Sequence, residues 1–181
     1  MVAELVSLAQ ALPVGVPWLK QNDVGPIVSQ RQFDRVMGFI ESAKAEGAQL
    51  RTGGGKPADP SLAAGLFVAP TVFDQVTPAM PIGREEIFGP VMSVMPWDDY
   101  EDMLNKVNGV EYGLTAAIVT NDLAKAMETA ERVEAGYVWI NSSGRYIGAP
   151  YGGWKQSGIG EEECFDEIVS YTQVKNINMR W

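Results

Sequence analysis

The chain has 181 residues, 46% of them hydrophobic and 20% charged, which is enough apolar material for an ordinary globular core. Its formal net charge of −9 repels nucleic-acid backbones and anionic membrane surfaces, so neither nucleic acid nor membrane is expected as a partner. Histidine is absent, which excludes imidazole chemistry, and the single cysteine, Cys164, excludes an internal disulfide and a cysteine-rich metal site.

Met1 to Leu12 places Leu5, Leu8, Ala9 and Leu12 at helical spacing, with Pro13 and Gly15 ending the pattern. Glu4 interrupts the run and no basic residue precedes it, so this is not a secretory signal. No stretch approaches the roughly 20 apolar residues that span a bilayer, and a cytoplasmic protein is expected. Ser29 and Gln32 stand at capping-box spacing before a second helix whose apolar face is Phe33, Val36, Met37 and Ile40, and Gly47 suits its C-terminal cap.

A short strand is expected at Leu50–Thr52, then a Gly/Pro-rich surface loop from Gly53 to Gly65. Strand-like segments follow at Phe67–Phe73, Val91–Trp97, Thr115–Thr120 and Tyr137–Asn141. The first contains Pro70, which cannot donate to a ladder, so that strand lies at an edge or is interrupted. Helical patterns at Tyr100/Met103/Leu104/Val107 and Leu123/Ala126/Met127/Ala130/Val133 separate the later ones. Alternating strands and helices imply an α/β fold, a three-layer α/β/α arrangement with a largely parallel sheet. After a loop from Ser142 to Gly160, an acidic first turn at Glu161–Glu163 suits a helix, and Tyr171–Trp181 reads as a final strand.

Three segments carry candidate chemistry. Glu86-Ile87-Phe88-Gly89-Pro90 sets a carboxylate and an aromatic ring at a tight turn before a strand, where the one can accept from both hydroxyls of a ribose and the other lie against a flat ring. Taken alone, the segment equally suits a solvated acidic turn. Val138-Trp139-Ile140-Asn141 ends a strand and opens a loop. Tyr151-Gly152-Gly153-Trp154-Lys155-Gln156-Ser157-Gly158 matches neither G-x-G-x-x-G nor G-x-x-x-x-G-K-[ST], so it is not a phosphate cradle on spacing.

In this order, together with Gly25-Pro26-Ile27-Val28-Ser29 and Tyr171-Thr172-Gln173-Val174-Lys175, these segments resemble the aldehyde dehydrogenase superfamily over nearly the whole chain. The resemblance implies that Glu86 holds the nicotinamide ribose of NAD or NADP, that Phe88 packs near the nicotinamide, and that Gln32 and Arg35 lie near the same ribose. For the last two, a solvated helix face remains the alternative. It further implies that Asn141 and the loop Ser142–Pro150 shape the pocket for a small aldehyde, with Tyr146 and Tyr151 as aromatic walls.

By the same resemblance, residues 1–170 form part of a catalytic domain, and 171–181 form an oligomerisation strand giving a dimer or tetramer. The family's nucleophilic cysteine, oxyanion asparagine, general base and cofactor domain all precede the position matching Met1. The chain is therefore expected to hold no catalytic residue and to be inactive alone, a truncated portion of an oxidoreductase. The alternative from another class is a non-catalytic assembly module that pairs through its last strand. Cys164 is expected to be a small core residue rather than a substitute nucleophile, since it shares a helical face with Phe165, Ile168 and Val169 and follows three glutamates. Two positions depart from the family pattern: Glu161 replaces its usual Arg, and Val16-Pro17-Trp18-Leu19 replaces an Asp-Pro loop.

Overall fold

The structure, a computed structural model, describes residues 1–19 and 21–181. It divides into two units, Met1–Asp98 and Asp99–Trp181. The chain is mixed helix and strand, as its alternating pattern requires. Among the described residues no helix is long and apolar enough to cross a membrane.

In the first unit, α1 spans Val2–Ala11 and α2 spans Gln30–Ala45. The Ser29 hydroxyl accepts from the Gln32 backbone N–H at 3.3 Å, which satisfies one of the donors orphaned at the start of α2. The reciprocal half of the capping box is missing, because the Gln32 side chain turns away to another segment. Phe33, Val36, Ile40 and Ala43 recur on one face and are buried. Gly47, at φ 93°, gives the left-handed turn that stops the helix at little steric cost.

Three strands follow, β1 (Gln49–Thr52), β2 (Thr71–Asp74) and β3 (Val91–Ser93), hydrogen-bonded in that order. β1 runs antiparallel to β2, and β2 pairs parallel with β3 in the register Thr71–Val91 to Phe73–Ser93. The strand expected from Phe67 starts only at Thr71, directly after Pro70, whose missing N–H interrupts the ladder. All four β2 residues are buried, and Phe73 joins Val36, Ile40, Val68, Val76 and Ile87 in the core.

The second unit holds α3 (Tyr100–Asn108), β4 (Tyr112–Gly113), β5 (Thr115–Ile118), α4 (Leu123–Arg132) and β6 (Tyr137–Ile140). Asp99 and Asp122 cap the two helices, accepting from the backbone N–H of Asp102 at 2.8 Å and of Lys125 at 3.0 Å. β5 and β6 pair in parallel along their whole length, with α4 as the crossover. The parallel character expected of the sheet therefore resides in β2–β3 and β5–β6. The remaining strands, β7 (Tyr151–Gly152), β8 (Trp154–Lys155) and β9 (Glu161–Glu162), form two-residue antiparallel pairs, β7 with β9 and β8 with β4.

Two expectations for the last forty residues are corrected, the start of the helix and the burial of Cys164. Glu161–Glu163 do not open a helix: Glu161 and Glu162 pair with β7, and Glu163 takes φ 63°, outside the helical region. The helix α5 begins after them, at Phe165–Ser170, with Cys164 at its cap position. Cys164 is accordingly only partly buried, and Phe165, Ile168 and Val169 are exposed within this chain. Residues 171–181 make no ladder and all are exposed, because a strand exists only beside a neighbour and the described residues offer them none.

Candidate functional site

In the first unit, four of the expected residues come together. The Gln32 carboxamide donates to the backbone carbonyls of Ile87 at 2.9 Å and Phe88 at 3.2 Å. One turn along α2, the Arg35 guanidinium donates to the Glu86 carbonyl at 3.2 Å and lies 3.6 Å from the Glu85 carboxylate. Gln32 and Arg35 thus act as struts, and the charged end of Arg35 also lies against the Phe39 ring, 5.0 Å from its centroid. What they hold is an unusual turn. Phe88 sits at φ 57°, a conformation uncommon for an aromatic residue, and Gly89 follows it where a Cβ would come within 2.7 Å of Val36 Cγ2.

The consequence is a division of labour within Glu86-Ile87-Phe88. Ile87 is buried and anchors the turn to the core, whereas Phe88 is 73% exposed with its ring projected from the surface. The Glu86 carboxylate is exposed and makes no hydrogen bond or ion pair among the described residues, its backbone oxygen alone being used. Beside them Ile82, Gly89, Val91 and Ser93 complete a depression of about 340 Å³. The arrangement suits a diol next to a flat ring: a carboxylate with both oxygens available, and an aromatic face one residue on.

In the second unit, Asn141 stands where β6 ends, at φ 50°. Its side-chain amide accepts from the Thr120 N–H at 3.0 Å and donates to the Thr120 carbonyl at 2.8 Å, tying together the outgoing ends of β5 and β6. Asn141 is therefore a clamp on the sheet from which the loop departs. Tyr151 returns the loop to the sheet, its ring centroid 5.5 Å from that of Tyr137, which is itself 4.9 Å from Trp139. Tyr146 lies at the loop's outer part, 66% exposed; its backbone N–H donates to the Tyr137 hydroxyl at 3.3 Å and its carbonyl accepts from the Ala149 N–H at 3.1 Å.

Sequence reasoning missed Tyr137, Trp139 and Arg145. The first two alternate along β6 and so share one face, a signal readable from a period of two. Trp139 donates from Nε1 to the Gly144 carbonyl at 2.7 Å, and Arg145 lies 4.2 Å from the Tyr151 ring centroid. The glycine-rich stretch serves packing: a Cβ on Gly136 would overlap the Gly152 carbonyl, and Lys155 Nζ reaches the carbonyls of Asn108 at 2.6 Å and Val110 at 3.1 Å. Cys164 has the carboxylates of Glu161 and Asp166 beside it.

The sequence profile described as aldehyde dehydrogenase family matches residues 1–177. An aldehyde dehydrogenase of Talaromyces stipitatus is 48% identical over 160 residues, which are 86% of this chain and 31% of that protein. Retinaldehyde dehydrogenase 3 of Homo sapiens is 42% identical over 99% of this chain and 34% of its own length. The NAD+ complex of an aldehyde dehydrogenase from Bacillus cereus superposes with TM-score 0.88 at 40% identity, over 96% of this chain and 35% of that one. A Mycobacterium tuberculosis aldehyde dehydrogenase complexed with NAD+ does so with TM-score 0.82 at 39% identity, over 88% and 33%. The chain thus spans about a third of the length of the relatives it matches.

Proposed function

Because the chain belongs to the aldehyde dehydrogenase family, we propose that it supplies the nicotinamide-facing turn and the aldehyde-facing loop of an enzyme that oxidises an aldehyde to a carboxylic acid with NAD(P)+. The observation that carries this reading is the Phe88 turn. Gln32 and Arg35 are spent on its backbone, so the Glu86 carboxylate and the Phe88 ring are both left for a ligand. Glu86 takes the two hydroxyls of the nicotinamide ribose, and Phe88 limits the swing of the ring beside it. When bound, NAD(P)+ would supply the hydride acceptor, and Glu86 and Phe88 would fix where that acceptor sits.

Asn141 sets the angle at which the loop 142–150 leaves β6, and Tyr146 and Tyr151 are the aromatic surfaces it offers to a small aldehyde. The 181 residues alone are inactive, because their one cysteine, Cys164, lies beside the carboxylates of Glu161 and Asp166, whose charge disfavours its thiolate. Residues 171–181 add to the sheet of a second copy, giving a dimer or tetramer in the cytoplasm. That unpaired, fully exposed tail also favours a second reading, in which the chain works as a non-catalytic assembly module.

The test is a hybrid in which residues 1–181 replace the matching third of human retinaldehyde dehydrogenase 3. It is expected to oxidise an aldehyde with NAD+, while the 181-residue chain shows no turnover above a blank. Glu86→Gln leaves one acceptor oxygen and removes a charged one, worth about 1.5–3 kcal/mol, so the KM for NAD+ should rise about 10-fold or more with the aldehyde KM little changed. An active hybrid whose cofactor KM ignores this substitution would remove Glu86 from the site. Turnover by the chain alone would refute its inactivity.

A further inference from the structure

Arg145 is the one charged side chain in the loop 142–150, and it is engaged on two sides. Its guanidinium lies 4.2 Å from the centroid of the Tyr151 ring and 2.6 Å from the Glu163 carboxylate. Glu163 is no ordinary surface acid. It stands at φ 63°, its N–H donates to the Glu167 carboxylate at 2.7 Å, and its carbonyl accepts from Gly148 N–H at 2.8 Å. One residue therefore receives the loop twice, by main chain at Gly148 and by side chain at Arg145, and is itself fastened to α5.

The rest of the loop is held from below. Gly144 is tied to Trp139 through its carbonyl, and Tyr146 to Tyr137 through its N–H at 3.3 Å, both partners lying on β6. The outer residues, Tyr146 and Ile147, are exposed between these two sets of ties. A planar cation stacked on one aromatic residue and paired with a carboxylate restrains both translation and rotation of the segment, which a lysine at the same place would not.

We infer that Arg145 is a positioning residue: its stacking on Tyr151 and its ion pair with Glu163 latch the loop 142–150 onto the segment before α5 and so set which aldehydes fit against Tyr146 and Tyr151. This deepens the aldehyde-loop reading above and rests on it. The ion pair is half in water, with side chains 49% and 29% exposed, so the latch holds at low salt and loosens as salt rises. A loosened loop admits bulkier aldehydes and positions small ones less well. Selectivity moves more than the overall rate.

Two measurements separate the latch from the family reading. In the 181-residue chain, hydrogen exchange of the amides of residues 144–149 should quicken about 2- to 5-fold in Glu163→Gln, the range an exposed ion pair supports, with α2 unaffected. In the hybrid enzyme, the ratio of kcat/KM for benzaldehyde to that for acetaldehyde should rise in Glu163→Gln and in Arg145→Met. It should rise with salt in the parent, and Arg145→Lys should recover only part of the parent ratio. Unchanged exchange overturns the latch even if the hybrid turns over. Faster exchange with an unchanged ratio overturns its role in selectivity, and a folded hybrid without turnover indicts the family reading while the exchange result still stands on the latch.

Discussion

Asn141 occupies a left-handed backbone conformation and uses both ends of its amide on one partner, Thr120. Each property asks for a different substitution. Asn141→Ala removes two hydrogen bonds worth about 1 kcal/mol each and leaves at that φ a residue that tolerates the left-handed region less well than Asn, so the urea midpoint should fall by an amount equivalent to about 2–3 kcal/mol. Asn141→Gly loses the bonds but not the conformation, and should cost about 1 kcal/mol less. Equal losses would show that the backbone at 141 is not constrained. At this scale the sequence was informative about the tight turn at Glu86–Phe88, whose residues are neighbours in the chain. It was silent on Gln32 and Arg35 as struts, since their partners lie 55, 56 and 51 residues away and no spacing rule reaches that far.

Between elements, the clearest polar brace joins α3 to α4. Arg132 reaches Glu101 at 2.5 Å across the two helices and Glu128 at 3.2 Å within its own, while Lys125 pairs with Glu128 at 3.1 Å. The Arg132 hydrogen bond holds the Glu101 carboxyl below its ordinary value of 4.5, and Lys125 first, then Arg132, does the same for Glu128. Groups with depressed values stabilise the fold above their unfolded value and lose that contribution as pH falls through the folded one. The brace should therefore be intact at neutral pH and fail below about pH 4.5. Thermal melts between about pH 5 and pH 3 should drop less steeply in Arg132→Met than in the parent, and parallel slopes would dismiss the brace. These helices were legible from their apolar spacing, Tyr100/Met103/Leu104/Val107 and Leu123/Ala126/Met127/Ala130/Val133. The two-residue strands β4, β7, β8 and β9 were not, since no period shows in two residues, and the late start of α5 turns on a positive φ at Glu163, a residue type that does not announce one.

For the whole molecule, the deciding feature is the tail from Tyr171 to Trp181, which ends the chain without a ladder and with every side chain exposed. Ile177, Met179 and Trp181 alternate with Asn176, Asn178 and Arg180, the pattern of a strand awaiting a sheet. Unpaired main-chain groups beside apolar side chains favour addition to another copy. Sedimentation should find a dimer or larger species, and removal of 171–181 should shift it towards monomer; an unchanged oligomer would assign assembly to another surface. The same tail ends on an indole that is fully bathed in water. Emission from such a group moves to shorter wavelength when an apolar surface covers it. The fluorescence difference between the parent and Trp181→Phe, followed across a dilution series, therefore isolates one chromophore at the docking edge, and the molecule carries its own optical gauge of association.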